Sequence, residues 1–257
     1  MDHTWDPRQY LAYSDQRGRP FFDLLRRVRV ESPREVVDLG CGPGNLTVAL
    51  TEVWPTARIA GIDDSAEMIG AAPADSGVSF EVGDLRDWAT QPGQVDVLLS
   101  NATLQWIPDH LELLDPLVGR VAPGGWFAFQ VPGNFAAPSH AIRAELAAEP
   151  RFAPHLGDVA VPSSHDPVDY YRRLAPLGLE VDAWETTYLH VLQGQDAVFD
   201  WVCGTGARPT LQALPDEGTR EAFAQELRIR LREAYPDEGN GVLLPFRRIF
   251  VVAQKAA

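Results

Sequence analysis

The stretch Arg34-Glu-Val-Val-Asp-Leu-Gly-Cys-Gly-Pro-Gly-Asn45 decides the fold. It begins as a short apolar run, Val36-Val37 with Leu39, of the kind a strand buried on both faces needs. It then turns through Gly40-Cys41-Gly42-Pro43-Gly44. A pattern compatible with a helix follows, from Asn45 through Leu46, Val48, Ala49 and Leu50 to Trp54. Strand, glycine turn and helix make a nucleotide-binding unit. Glycines let the backbone take positive φ and come close to a ligand. The helix start behind them presents N–H groups that have no partner within the helix.

A dinucleotide fold would read G-x-G-x-x-G and seat a pyrophosphate on the helix N-terminus. Here the turn reads G-x-G-x-G, and Asp38 stands two positions before the first glycine. A carboxylate repels phosphate and attracts a cation. The loop therefore suits a ligand with an ammonium and a sulfonium better than one with phosphates. The string D-L-G-C-G-x-G resembles the first motif of class I S-adenosylmethionine-dependent methyltransferases. That resemblance implies S-adenosyl-L-methionine as cofactor, with Asp38, Gly40, Cys41, Gly42 and Asn45 at its binding loop.

Outward from the loop, strands and helices alternate, which predicts an α/β doubly wound, Rossmann-like sheet. The run 57–62 reads as a second buried strand ending at Asp63-Asp64-Ser65. A carboxylate there can accept from both ribose hydroxyls, and Asp63 has the spacing for it. Asp64 is a further cofactor candidate or, with Ser65, a cap for the next helix. Met68 reads as an adenine neighbour or a core methionine. A third strand at 78–82 leads to Asp84 and Leu85. Asp84 is an acceptor for the adenine amino group or a turn aspartate, and Leu85 packs on the ring. A fourth strand at 95–100 ends in Asn101-Ala-Thr-Leu-Gln-Trp106. Ligands sit at the carboxyl ends of such strands, so Asn101, Ala102, Gln105 and Trp106 are expected to line the cleft. His110 reads as the start of the next helix, and 123–131 as a turn and fifth strand.

Ahead of the loop, residues 1–33 read as a helical preface broken near Gly18 and Pro20. The resemblance implies that it lies across cofactor and substrate, with Tyr10, Arg17 and Arg19 as ligand candidates; the alternative is a packing helix with solvated arginines. Regularity fails again after the fifth strand. Segments 133–178 and 194–245 read as helical lid pieces, separated by a long strand at 179–191, within one domain spanning 1–257. A last strand is expected at 248–253.

The chain has 257 residues, 45% of them hydrophobic and 23% charged, and a formal net charge of −14. That balance disfavours nucleic acid as a substrate, because affinity there depends on neutralising phosphates. It also disfavours an anionic membrane surface. No apolar run approaches a membrane span, and the first residues do not read as a signal peptide. The two cysteines, Cys41 and Cys203, give no disulfide framework, so a reducing cytoplasm is expected. No Cys/His cluster has metal spacing. Positive charge comes almost entirely from arginine, which suits two-pronged recognition of carboxylates or reflects a GC-rich genome.

Further strings narrow the resemblance: Arg19-Pro20, Trp54-Pro55, Gly61-Ile-Asp63, Leu104-Gln-Trp106, Pro108-Asp-His110, Thr186-Thr-Tyr188 with His190, Asp200-Trp-Val202, Arg208-Pro209 and Gly239-Asn-Gly241. With Trp5 and Trp184 they make the chain similar to the bacterial trans-aconitate 2-methyltransferase family. The resemblance implies a small tricarboxylate as substrate and a monomethyl ester as product. A carboxylate is already anionic at neutral pH, so no general base, catalytic residue or metal is expected, only positioning. Arg208 and Arg248 are the leading cations for the substrate's other carboxylates. Arg19, Tyr188 and His190 come second, then His140 and His165. At Phe246-Arg247-Arg248 the chain departs from the family pattern, which carries a proline where Arg247 stands. Two alternatives stay open: a methyltransferase for a phenol or amine, and a non-catalytic S-adenosylmethionine-binding module.

Overall fold

The computed structural model describes residues 14–157 and 159–257. Tyr10, Trp5 and the side chain of Arg17 lie outside the described residues. In chain order the elements are α1 (Ser14–Leu25), β1 (Glu35–Leu39), α2 (Asn45–Val53), β2 (Arg58–Asp63), α3 (Ala66–Gly70), β3 (Val78–Val82), α4 (Leu85–Thr90), β4 (Val95–Asn101), α5 (His110–Gly119) and β5 (Val121–Pro132). There follow α6 (Pro138–Ala147), α7 (Ala153–Leu156), α8 (Pro167–Leu174), β6 (Leu179–Leu192), α9 (Ala197–Cys203), α10 (Arg208–Ala213), α11 (Glu217–Ala234) and β7 (Val242–Lys255). Short 3₁₀ turns lie at Leu104–Trp106 and Ala175–Leu177.

The strands form one seven-stranded sheet in the order β3-β2-β1-β4-β5-β7-β6. β1 pairs in parallel with β2 and with β4, β2 with β3, and β4 with β5, while β7 runs antiparallel to β5. This is the expected doubly wound α/β sheet. Strand order reverses between β1 and β4, the switch point where open sheets of this kind bind ligands.

The chain divides into two compact units. The sheet unit holds the described residues up to 133, with 164–186 and 248–257; the helical unit holds 134–163 and 187–247. The core of the sheet unit is built from Leu39, Leu98, Phe127, Phe129, Ile249 and Val251, all fully shielded from water. The last strand is longer than its apolar run suggested, because its first residues alternate while only the later ones are buried throughout. In the helical unit, Phe152 meets Phe223 edge-on at 4.9 Å, and Trp201 lies 4.6 Å from the ring of His190.

Two expectations need correction. The preface is not broken at Gly18 and Pro20, because α1 runs through both. Burial of Phe21, Leu24 and Leu25 outweighs the one backbone bond a proline removes. The segment 133–178 does not behave as one lid piece. Its later part, α8, places Tyr170 and Leu174 in the sheet unit's core. Among the described residues no helix is long and apolar enough to cross a membrane.

Candidate functional site

The loop after β1 is pinned from two sides. The N–H groups of Gly40 and Cys41 both donate to the carbonyl of Ile62, at 2.7 and 3.1 Å. The hydroxyl of Thr103, just past β4, donates to the carbonyl of Gly40 at 3.2 Å. The glycine loop and the end of β4 thus meet at the switch point. Gly44 carries φ 72°, and a Cβ there would lie 2.4 Å from the ring of Phe80. Gly42 also has positive φ, but a Cβ there would meet nothing within 4 Å. One glycine is required by packing, and the other leaves open space in front of the loop. No side chain caps α2, whose N-cap is Gly44.

Two acidic groups lie near this loop, both close enough to act on Cys41. Asp38 is 2% exposed. Its Oδ2 accepts a hydrogen bond from the Thr47 hydroxyl at 2.6 Å, and its Oδ1 is buried without a partner among the described residues. Burial pushes its carboxyl up to about 6, with the Thr47 hydrogen bond pulling the other way and the charge of Asp63 adding to the rise. Asp63 is half-buried and ends β2. Its Oδ2 accepts from the Gly42 N–H at 2.8 Å and its Oδ1 from the Ser65 N–H at 3.0 Å. Burial raises its carboxyl above the usual range, against those two hydrogen bonds. Each oxygen of Asp63 retains a lone pair for a further donor.

This arrangement fits S-adenosylmethionine. An orphaned carboxylate oxygen asks for a cation or a donor, and the open face of Gly42 allows a ligand to approach the backbone. The other cofactor candidates fall at the same strand ends. Ser65, not Asp64, caps α3, accepting from the Met68 N–H at 3.3 Å; Asp64 is exposed and Met68 buried. Asp84 is the N-cap of α4, with Oδ1 accepting from the Arg86 N–H at 2.7 Å. Leu85 beside it is buried. Asn45 is exposed at the start of α2. Ala102 takes φ 57°, and its N–H donates to the carbonyl of Gln130 at 2.9 Å. Cys41 is buried, its Sγ 3.0 Å from where a Cβ on Gly61 would stand. Burial, then the charges of Asp38 and Asp63, drive its thiol far above the usual range.

The substrate candidates spread over the two units. In the sheet unit, Gln105 is buried and its Nε2 donates to the carbonyl of Ala102 at 2.5 Å. Trp106 is half-buried on the same turn. Arg248 is 6% exposed, and its Nη1 donates to Oε1 of Gln130 at 3.1 Å. Arg19 is exposed and pairs with Asp23 one turn along α1, at 3.7 Å. His165 belongs to a packed cluster: its ring lies 5.2 Å from that of His110, and its N–H donates to the Tyr170 hydroxyl at 3.2 Å. That hydroxyl also pairs with Nε2 of His110 at 2.7 Å. In the helical unit, Arg208 opens α10 half-buried, and Tyr188 and His190 are buried. Arg247 is half-buried. His140 touches Phe135, and burial holds its imidazole down to about 4.

Sequence reading missed Thr47, Thr103 and Gln130, which hold Asp38, the glycine loop and Arg248. Gln130 alone left a signal, as a polar residue inside the apolar run 126–131. It also missed Arg143, 7% exposed in the helical unit. Its Nη1 donates to the Thr210 hydroxyl at 2.9 Å, and it pairs with no carboxylate among the described residues. Among those residues no group of three or more His, Cys, Asp or Glu is placed to hold a metal ion.

A sequence family described as a methyltransferase domain matches residues 13–183. The trans-aconitate 2-methyltransferase of Streptomyces avermitilis is 49% identical over 99% of this chain and 98% of its own. Its namesake in Mycobacterium sp. strain KMS is 50% identical over 97% and 99%, and that of Mycobacterium tuberculosis 46% over 97% and 96%. Solved structures share the fold at much lower identity. One is phosphoethanolamine N-methyltransferase 2 of Haemonchus contortus, at TM-score 0.57 and 14% identity, covering 93% of this chain and 53% of that one. Another is the [4+2]-cyclase SpnF, at TM-score 0.60 and 12% identity, covering 99% and 87%. Those two speak for the sheet and not for the reaction. The matched domain and the full-length relatives decide the matter: this chain belongs to the class I methyltransferases, in the family of the trans-aconitate 2-methyltransferases.

Proposed function

We propose that the chain transfers the methyl group of S-adenosylmethionine to one carboxylate of trans-aconitate in the cytoplasm, giving a monomethyl ester. The observation that carries this reading is near-half identity over almost the whole of both chains to several relatives of that name.

The cofactor supplies a methyl group made electrophilic by a positively charged sulfur. Asp38 and the glycine loop would hold its amino-acid end, and Asp63 its ribose hydroxyls. Met68, Asp84 and Leu85 would frame the adenine. A carboxylic acid with an ordinary pKa of about 4 is ionised at neutral pH, so the acceptor needs no base to generate its nucleophile. The chain's task is to bring oxygen in line with the methyl group and keep water out. Gln105 and Trp106, on the turn after β4, would serve that role. Arg248 would bind a carboxylate that does not react, leaving the reacting one less tightly solvated. Arg208 stands as a second cation on the resemblance alone.

The test is a transfer assay with labelled S-adenosylmethionine and a panel of di- and tricarboxylates, cis and trans isomers included, alongside phenols and amines. The expected result is preferential monomethylation of trans-aconitate. Preference for a phenol or an amine, or no transfer to any carboxylate, would overturn the reading.

A further inference from the structure

A line of three polar side chains crosses the sheet unit. Gln130 is 1% exposed within β5. Its Oε1 accepts from Nη1 of Arg248 at 3.1 Å, and its Nε2 donates to Oδ1 of Asn101 at 2.7 Å. The register makes the line possible. Asn101 is the partner of Gln130 across β4 and β5, and Arg248 lies two residues before Phe250, its partner on β7. Diagonal neighbours of that kind come within reach of long side chains.

The polarity of this line is fixed at one end. A guanidinium only donates. Gln130 must therefore turn its carbonyl oxygen to Arg248 and its amide nitrogen to Asn101. Asn101 must answer with its own oxygen, which leaves Nδ2 as the group it can offer a ligand. Asn101 is half-buried at the carboxyl end of β4, beside the switch point. Among the described residues its Nδ2 donates to no protein group. An asparagine without such a partner could show either face of its amide; this one can show only the donor.

We propose that Asn101 binds a carboxylate oxygen of a ligand through Nδ2, and that Gln130 is the positioning residue that holds it in that polarity. The inference deepens the methyl-transfer reading and rests on it, since both the acceptor and the amino-acid end of the cofactor carry such an oxygen.

Gln130→Glu tests it. One glutamate oxygen still meets Arg248; the other is an acceptor, so the Asn101 amide must flip and turn Oδ1 to the ligand. Either KM for trans-aconitate or Kd for S-adenosylhomocysteine should rise about ten- to a hundredfold, the scale of a hydrogen bond to a charged group. A rise in KM assigns the oxygen to the acceptor, and a rise in Kd assigns it to the cofactor. In an Asn101→Ala background the same substitution should change neither, an outcome that a role in packing alone would not produce. Unchanged KM and Kd, or an equal effect in both backgrounds, overturns the proposal. Side-chain amide exchange followed by ¹⁵N NMR on the wild-type protein decides the polarity even if Gln130→Glu folds poorly. Slow exchange at Gln130 with fast exchange at Asn101 is expected, and the reverse overturns it. A wild-type protein that methylates no carboxylate would refute the proposed reaction, and the NMR result would still stand or fall by itself.

Discussion

Asp38→Asn should separate stability from binding. In the folded protein this carboxyl is buried and held at about 6, against an ordinary 3.8. At about 1.36 kcal/mol for each tenfold change in ionisation, keeping it charged at neutral pH costs about 3 kcal/mol. An asparagine carries no charge and can still accept from the Thr47 hydroxyl. Without cofactor the variant should be more stable than the wild type at pH 7.5, by about 1–3 kcal/mol once local relaxation is allowed for. The sign with pH follows from a raised carboxylate. Its contribution to stability is fully present below about 4 and lost as pH rises through about 6. The advantage of the variant should therefore be absent near pH 4 and complete above pH 6. The ammonium of the cofactor meanwhile loses its charged partner, weakening S-adenosylhomocysteine by about 1.5–3 kcal/mol, or ten- to a hundredfold. Urea unfolding across pH and calorimetric titration read the two effects. A variant less stable than wild type at pH 7.5 would refute the burial cost, and unchanged binding of S-adenosylhomocysteine would refute the assignment of the orphaned oxygen to a cationic ligand.

Asp63→Ala removes the acceptor for the Gly42 and Ser65 N–H groups together with the proposed ribose partner. Cofactor affinity should fall by about 1–3 kcal/mol, and an unchanged Kd would remove Asp63 from the ribose role. Gly44→Ala combines a positive φ with a Cβ 2.4 Å from the Phe80 ring. It should lower stability by about 1–3 kcal/mol, with part recovered in Gly44→Ala/Phe80→Leu; a Tm unchanged by the single substitution would refute the packing argument. Arg208→Ala should raise KM for trans-aconitate about tenfold or more and leave S-adenosylhomocysteine affinity within about twofold. Loss of cofactor binding instead would take Arg208 out of the substrate's reach.

The sheet was legible because its strands announce themselves locally. Val36-Val37 and the runs 57–62, 78–82 and 95–100 each lie within a few residues of the glycine, acid or amide that ends them. The acidic strand ends were legible for the same reason. What escaped depends on neighbours distant in sequence. Nothing near Asp38 says that Thr47 will face it, and nothing near Thr103 says that it will reach Gly40. Continuity of α1 through Pro20 is settled by the buried face of the helix, which propensity does not weigh. Whether α8 covers a ligand or joins the core turns on Tyr170 and His110, which are 60 residues apart. The arginines show how far residue type carries: the motif singled out Arg248, but only the folded chain reveals the glutamine that orients it.

The sulfur in the glycine loop has its own consequence. Cys41 lies buried between the backbone of the loop and Gly61, with two carboxylates nearby, and burial lifts the other thiol, Cys203, to about 12. Reaction with oxidants and alkylating reagents requires the thiolate. Neither cysteine offers it at the pH of a cell, so peroxide or iodoacetamide should inactivate this enzyme no faster than a cysteine-free version of itself.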